Sequence, residues 1–153
     1  LTFPSLLLSM HTHRTGFDPN SNAQAWSLWD SFKIEEAMMI GWWVPADKTT
    51  TPVTLTQRTK DPMNGGGVLA TSYVVKGKRA LIALASWSNA TETISLAINW
   101  SALGLKESEC DIIAPGGVPA FNRANGTVVV DAAKLKVPAY KGWLLVVAPK
   151  AGL

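Results

Sequence analysis

A chain of 153 residues is long enough for one domain with its own core, since a domain of about 150 residues buries roughly 68–70% of its unfolded surface. Its 47% hydrophobic and 16% charged content excludes a disordered chain, and its net charge of +3 lacks the concentrated basic stripe that nucleic acid requires. The single cysteine, Cys110, excludes an intramolecular disulfide and a thiolate-based metal site, and is read as a small buried hydrophobe.

The chain opens on an apolar arm, Leu1, Phe3, Leu6, Leu7 and Leu8, without the basic flank or cleavage site of a signal peptide. A start at Leu rather than Met suggests a processed or trimmed part of something longer. An extended arm of this kind can also add a strand to a neighbour's sheet edge. His11 and His13 would share one side of an extended segment, as metal ligands do, but Asp18 is the only nearby carboxylate. A loop or packing role is preferred, and no metal site is expected.

Ser21 offers an N-cap, and Ala25, Trp26, Leu28, Trp29 and Phe32 follow at helical spacing, so a helix is predicted over about 22–32. Ile34 to Met39 suggests a second short turn. The run Gly41, Trp42, Trp43, Val44, Pro45 then breaks the pattern. On this reading residues 1–41 are an N-terminal arm and helical linker, and residues 42–153 are a β-sandwich domain.

From Val53 onward, short β-branched runs alternate with turn signals. Strands are predicted at Val53 to Gln57, Val68 to Val75, Arg79 to Trp87, Thr91 to Trp100, Ile112 to Ile113, Val118 to Phe121, Thr127 to Val130 and Gly142 to Val147. Lys76-Gly77-Lys78 reads as a hairpin turn, and Asn125-Gly126 is a second. Arg79 to Trp87 is apolar on both faces, as a central strand should be. In the next strand Ile94, Leu96, Ile98 and Trp100 alternate with polar positions, giving one dry face and one wet one. The expected fold class is all-β: an antiparallel β-sandwich of about eight strands with a short N-terminal helical segment.

Three N-x-S/T sequons occur, at Asn89, Asn99 and Asn125. Asn89 and Asn125 fall in predicted turns and Asn99 on the wet face of its strand, where a glycan would have room. Trp42 and Trp43 are candidates for carbohydrate or domain contact, because aromatic faces stack on sugar rings. The preferred reading is a plug between helix and sandwich, since neighbours on a strand point oppositely and cannot form one platform. Asp30, Glu35 and Glu36 do not read as a glycosidase pair, for adjacent helical positions diverge. Glu35 and Glu36 are read as solvated first-turn acids that complement a helix dipole. No phosphate loop, nucleophile elbow or zinc motif is present, so no catalytic residue and no cofactor are expected. No apolar run reaches the roughly 20 residues of a membrane helix.

Four stretches together resemble the carboxy-terminal region of large glycoside-hydrolase-like proteins, similar to relatives of glycoside hydrolase family 123. They are Leu28 to Trp43, Leu81 to Trp87, Ile98 to Leu105 and Lys141 to Leu145. The resemblance implies a β-sandwich that follows a (β/α)8 barrel and packs against it, with the first stretch closing the barrel. It brings no catalytic residue to this chain, since those belong to the barrel. The expected function is therefore a noncatalytic accessory module of a secreted or extracellular protein. Its partners would be an upstream catalytic-type domain and carbohydrate. The alternative is a structural subunit of an extracellular glycosylated assembly or fibril, in which identical subunits join through the N-terminal arm.

Overall fold

The computed structural model describes residues 19–57, 67–116 and 126–150. The apolar arm, His11, His13, the predicted strand Val118 to Phe121 and Asn125 lie outside the described residues.

A helix, α1 (Pro19–Phe32), and a 3-10 turn (Ile34–Glu36) precede nine strands found among the described residues. The helix begins earlier than the Ser21 cap suggested, with proline, whose fixed φ suits a first turn, as its first residue. The strands are β1 (Met38–Ile40), β2 (Val53–Thr56), β3 (Val68–Val75), β4 (Arg79–Ser86), β5 (Glu92–Ile98), β6 (Cys110–Ala114), β7 (Val128–Val129), β8 (Leu135–Val137) and β9 (Gly142–Pro149). A one-turn helix, α2 (Trp100–Leu103), follows β5.

The strands form two antiparallel sheets, one in the order β1-β3-β4-β9-β6-β7 and the other β2-β5-β8. The all-β sandwich expected from the turn-punctuated runs is thus the observed architecture. Its larger sheet is a middle layer. One face, carrying Val74, Ile82, Leu84, Leu145 and Val147, meets Ile94, Leu96, Leu135 and Val137 of the small sheet. The opposite face, carrying Tyr73, Leu81, Ala83, Leu144 and Val146, is covered by Ala25, Trp29 and Phe32 of α1. These three helical positions lie on one stripe, at the spacing an amphipathic helix needs.

Two short strands escaped the sequence reading. Met38–Ile40, expected as a second helical turn, pairs antiparallel with β3 from Met38↔Val74 to Ile40↔Ser72. Leu135–Val137 pairs with β5, and three residues give too little alternation to be seen in a sequence window. Trp100 also departs from expectation. It starts α2 instead of ending the strand, because Asn99 turns the chain and caps the helix by accepting from Ala102 N at 3.1 Å.

Side chains and turns link layers that share no ladder. The Gln57 amide mimics a strand neighbour, with Oε1 accepting from Val68 N at 2.7 Å and Nε2 donating to Val68 O at 2.9 Å. Trp143 Nε1 on β9 donates to Lys136 O on β8 at 2.8 Å. The β3–β4 turn leans on α2, where Gly77 N donates to Leu103 O at 2.8 Å. Gly77 and Gly104 both have positive φ, at 74° and 69°. A Cβ on Gly104 would sit 3.2 Å from Gly77 N, so glycine satisfies conformation and close approach at once.

Arg79 holds α1 onto the middle layer. Its Nε donates to Phe32 O, at the helix C-terminus, at 2.7 Å, its Nη2 pairs with Glu36 Oε2 at 3.0 Å, and its guanidinium lies 5.2 Å from the Phe32 ring centroid. A cation there meets the negative end of the helix dipole and satisfies a carbonyl that the helix leaves open. Glu36, read from sequence as a solvated acid, is one arm of this clamp. Replacing Arg79 by Met keeps the stem and removes all three contacts. A loss of about 2 kcal/mol is expected, the scale of a hydrogen bond from a charged group. Urea denaturation followed by far-UV circular dichroism measures it, and an unchanged midpoint would refute the clamp.

Candidate functional site

The two tryptophans that drew attention in the sequence sit on a tight turn, closed by Val44 N donating to Gly41 O at 3.0 Å. Their rings are perpendicular, with centroids 5.9 Å apart and an interplanar angle of 88°. They form no common platform, though a turn and edge-to-face packing, not strand alternation, set the geometry. The Trp43 indole lies over Gly41, where a Cβ would come within 2.5 Å of the ring, so any larger residue would have to push the indole aside. Trp43 remains exposed. Trp42 is half-buried against the layer that α1 covers. Its indole Nε1 is buried and has no hydrogen-bond partner in the protein.

Trp42 also lines a hollow of about 300 Å³ where the β1–β3 edge of the large sheet stands beside β2 of the small one. Ile40, Val53, Leu55 and Leu69 give it apolar walls, while Thr51, Thr54 and Ser72 bring hydroxyls and Gln57 brings an amide already committed to Val68. Among the described residues no charged side chain lines it. A broader hollow of about 530 Å³ lies beyond the same connection and includes Asp47, Lys48 and Asn99.

The connection between the hollows is a compact turn. Asp47 Oδ1 accepts from both the backbone N and the hydroxyl of Thr49 at 2.6 Å, and Asp47 N donates to Thr51 Oγ1 at 2.7 Å. These hydrogen bonds, the Thr49 hydroxyl foremost, hold the exposed Asp47 carboxyl below its ordinary range. Asn99 ties the turn to the small sheet, its Nδ2 donating to Lys48 O at 2.8 Å.

The sequons therefore differ in setting. Asn89 is exposed on the β4–β5 turn. Asn99 is not on the open face of a strand: both ends of its amide are engaged, one in the cap of α2 and one on Lys48.

The acids flagged in the sequence do not come together as a pair, with Asp30 and Glu35 exposed and Glu36 engaged by Arg79. Among the described residues no group of three or more His, Cys, Asp and Glu is placed to hold a metal ion. A buried acid that sequence reading passed over is Glu92, 3% exposed, whose Oε1 accepts from the Ser88 hydroxyl at 2.9 Å. Its phase was the available signal, since Glu92 shares parity with the inward Ile94 and Leu96. Ser88 is held in turn: its N donates to Ser86 Oγ at 3.1 Å and its Oγ accepts from Ala90 N at 3.2 Å. The network braces the turn that carries Asn89. Among the described residues no helix is long and apolar enough to cross a membrane.

Two measurements follow from these surroundings. Asn99→Ala removes a helix cap and the tether to Lys48, and should cost about 1–2 kcal/mol in chemical denaturation, the usual scale for losing a cap. An exposed, idle amide would leave stability unchanged. Cys110 is buried at the start of β6, and burial pushes its thiol up, aided by the charge of Glu109. A thiol reagent should label it no faster than the domain unfolds, and rapid labelling of the native protein would contradict this.

Comparison with known families places this geometry. Residues 21–148 match the family described as glycoside hydrolase 123, C-terminal domain, a range that takes in most of α1 and both sheets. No curated protein and no solved structure is matched. With most of its length inside that match, the chain belongs to the C-terminal-domain family of glycoside hydrolase 123.

Proposed function

We propose that the chain is a noncatalytic accessory module of a secreted glycoside-hydrolase-type protein, and that it docks against a domain upstream of it. The supporting observation is where apolar side chains stay in water. Eight large ones are exposed among the described residues, and five of them, Trp26, Met38, Met39, Trp43 and Val44, belong to the lead-in from α1 to the end of the tryptophan turn. Met38 is 62% exposed, on an edge strand where a charge would ordinarily discourage pairing. Apolar surface gathered in one segment marks an interaction face more often than scattered residues do. The lead-in is also the part of the chain through which a preceding domain would connect, and the family is defined as a C-terminal domain.

The absence of a converging acid pair among the described residues fits a supporting role, because glycoside hydrolysis ordinarily needs two carboxylates across one bond. Glu92 is buried and engaged by Ser88 of its own turn. Secretion and a glycan on Asn89 belong to this reading as well.

A chain carrying Trp26→Glu, Met38→Glu and Met39→Glu tests the docking face. Relative to the native chain it should bind less of a dye specific for exposed apolar surface. It should also associate at least tenfold more weakly with a glycoside hydrolase 123 catalytic-type domain supplied as a separate polypeptide. Its melting temperature should stay within a few degrees, since the replaced side chains contribute little to the core. Equal association of the two chains would overturn the docking role.

A further inference from the structure

Met38 and Met39 put two thioethers side by side in water, at a place where the fold leaves both faces of the large sheet open. Consecutive residues of a strand point to opposite faces. The register Met38↔Val74 and Met39↔Tyr73 puts Met38 on the face that meets the small sheet and Met39 on the face that α1 covers. One strand further in, neither face admits water: Val74 and Tyr73 are 5% and 4% exposed, whereas Met38 and Met39 are 62% and 42% exposed. Both covers therefore stop short of these two residues, on the edge strand of the sheet. Ile40, which shares its face with Met38, is already half-buried.

Apolar area alone does not call for sulfur here. Leucine presents comparable area, and a β-branched residue suits a strand better. What methionine adds is a polarisable thioether that peroxides oxidise to a sulfoxide, which turns a flexible apolar side chain into a polar one and can be reversed enzymatically.

We propose that Met38 and Met39 are a paired oxidation site, at which a hydroperoxide turns the docking face from apolar to polar while the fold stays intact. At each residue a sulfur lone pair attacks the terminal peroxide oxygen, an S–O bond forms and the O–O bond breaks. The proton on the transferred oxygen passes to the departing oxygen, which leaves as water or an alcohol. Sulfur is oxidised by two electrons and the peroxide is reduced by two. The fold can bear the change, because both side chains already lie in water and β1 is held by its backbone pairing with β3. This deepens the docking reading and rests on it for its consequence, since an interaction face that gains two sulfoxides loses apolar area.

Mild hydrogen peroxide treatment of the native chain, followed by peptide mass mapping, tests the site. The peptide that carries both residues should gain two oxygen atoms, at no less than about a third of its rate in the unfolded chain. The melting temperature should hold within a few degrees, and binding of a dye specific for exposed apolar surface should fall. Association with a glycoside hydrolase 123 catalytic-type domain, supplied as a separate polypeptide, should weaken about tenfold or more. Methionine sulfoxide reductases for the two epimers should restore both. The double variant Met38→Leu, Met39→Leu has no sulfur at the site, so peroxide should leave its own dye binding and association, whatever their starting values, as they were. A loss in that variant as well would place the effect at another residue and overturn the proposal. Slow oxidation of the native pair would overturn it too, as would full oxidation that leaves dye binding unchanged, or association unchanged where the unoxidised chain associates. If the unoxidised chain does not associate at all, the docking reading fails by itself, and the oxidation rate and dye binding still decide the site.

Discussion

Leu81, Ala83, Leu144 and Val146 point to one side of the large sheet, Ile82, Leu84, Leu145 and Val147 to the other, and both sets are out of water. Strands β4 and β9 cannot be stable with either face open, since each fully buried side chain of this size contributes about 1.5–3 kcal/mol. Two covers are therefore required. The small sheet supplies one, with Ile94, Leu96 and Val137, and α1 supplies the other, with Ala25, Trp29 and Phe32. The helix is thus part of the fold it precedes. A sandwich without it would leave Leu81, Leu144 and Tyr73 facing solvent.

The covers are attached differently, and the difference bears on what each can do. The small sheet meets the middle layer through an apolar interface reinforced by Gln57, Trp143 and the Gly77 turn. The helix rests on a narrower stripe, and Arg79 joins its last carbonyl to the start of β4. A guanidinium suits that place because its planar donors reach Phe32 O and Glu36 together, which a lysine ammonium would do less well. The lead-in that follows is held by the three-residue pairing of β1 with β3 and by the packing of Trp43 over Gly41. A segment attached at a few strong points can keep apolar side chains outside without losing its position.

Much of this architecture was legible in the residues, for reasons that also explain what was not. The uninterrupted apolar run of β4 announced a strand buried on both sides, and the alternation of β5 announced one dry face. Gly77 marked its turn because a residue with positive φ strongly favours glycine. What remained hidden was short or depended on distant partners. Met38–Ile40 is a strand only because β3 offers an edge, and nothing within three residues records that. Asn99 looked like a surface position of a strand, while its role comes from Lys48, far away in sequence. Arg79 sat in a basic cluster with Lys76 and Lys78, and sequence could not tell which of the three would reach Phe32. For the candidate site, Trp42 and Trp43 were visible as residues. Their perpendicular rings and the unpaired indole N–H are set by the turn that carries them and by what packs around it.

The places where this domain departs from its own economy are informative because they are few and lie close together in sequence. Glu92 shows that the fold can bury a carboxylate and provide partners for it, and Gln57 shows that it can complete a sheet edge with a side chain. Against that background, an orphaned indole N–H at residue 42 and exposed methionines at residues 38 and 39 are not explained by packing alone. A sequence consistent across its levels tends to break local rules where function demands it. Both departures fall between the helix that closes one face and the first strand of the sheet that closes the other. They concern different chemistry, apolar area in one case and a single directed donor in the other. The methionines leave apolar area in water, whereas the indole leaves one donor closed off from it. The lead-in segment therefore gathers the departures that packing does not explain, and the two sheets behind it hold that segment in place.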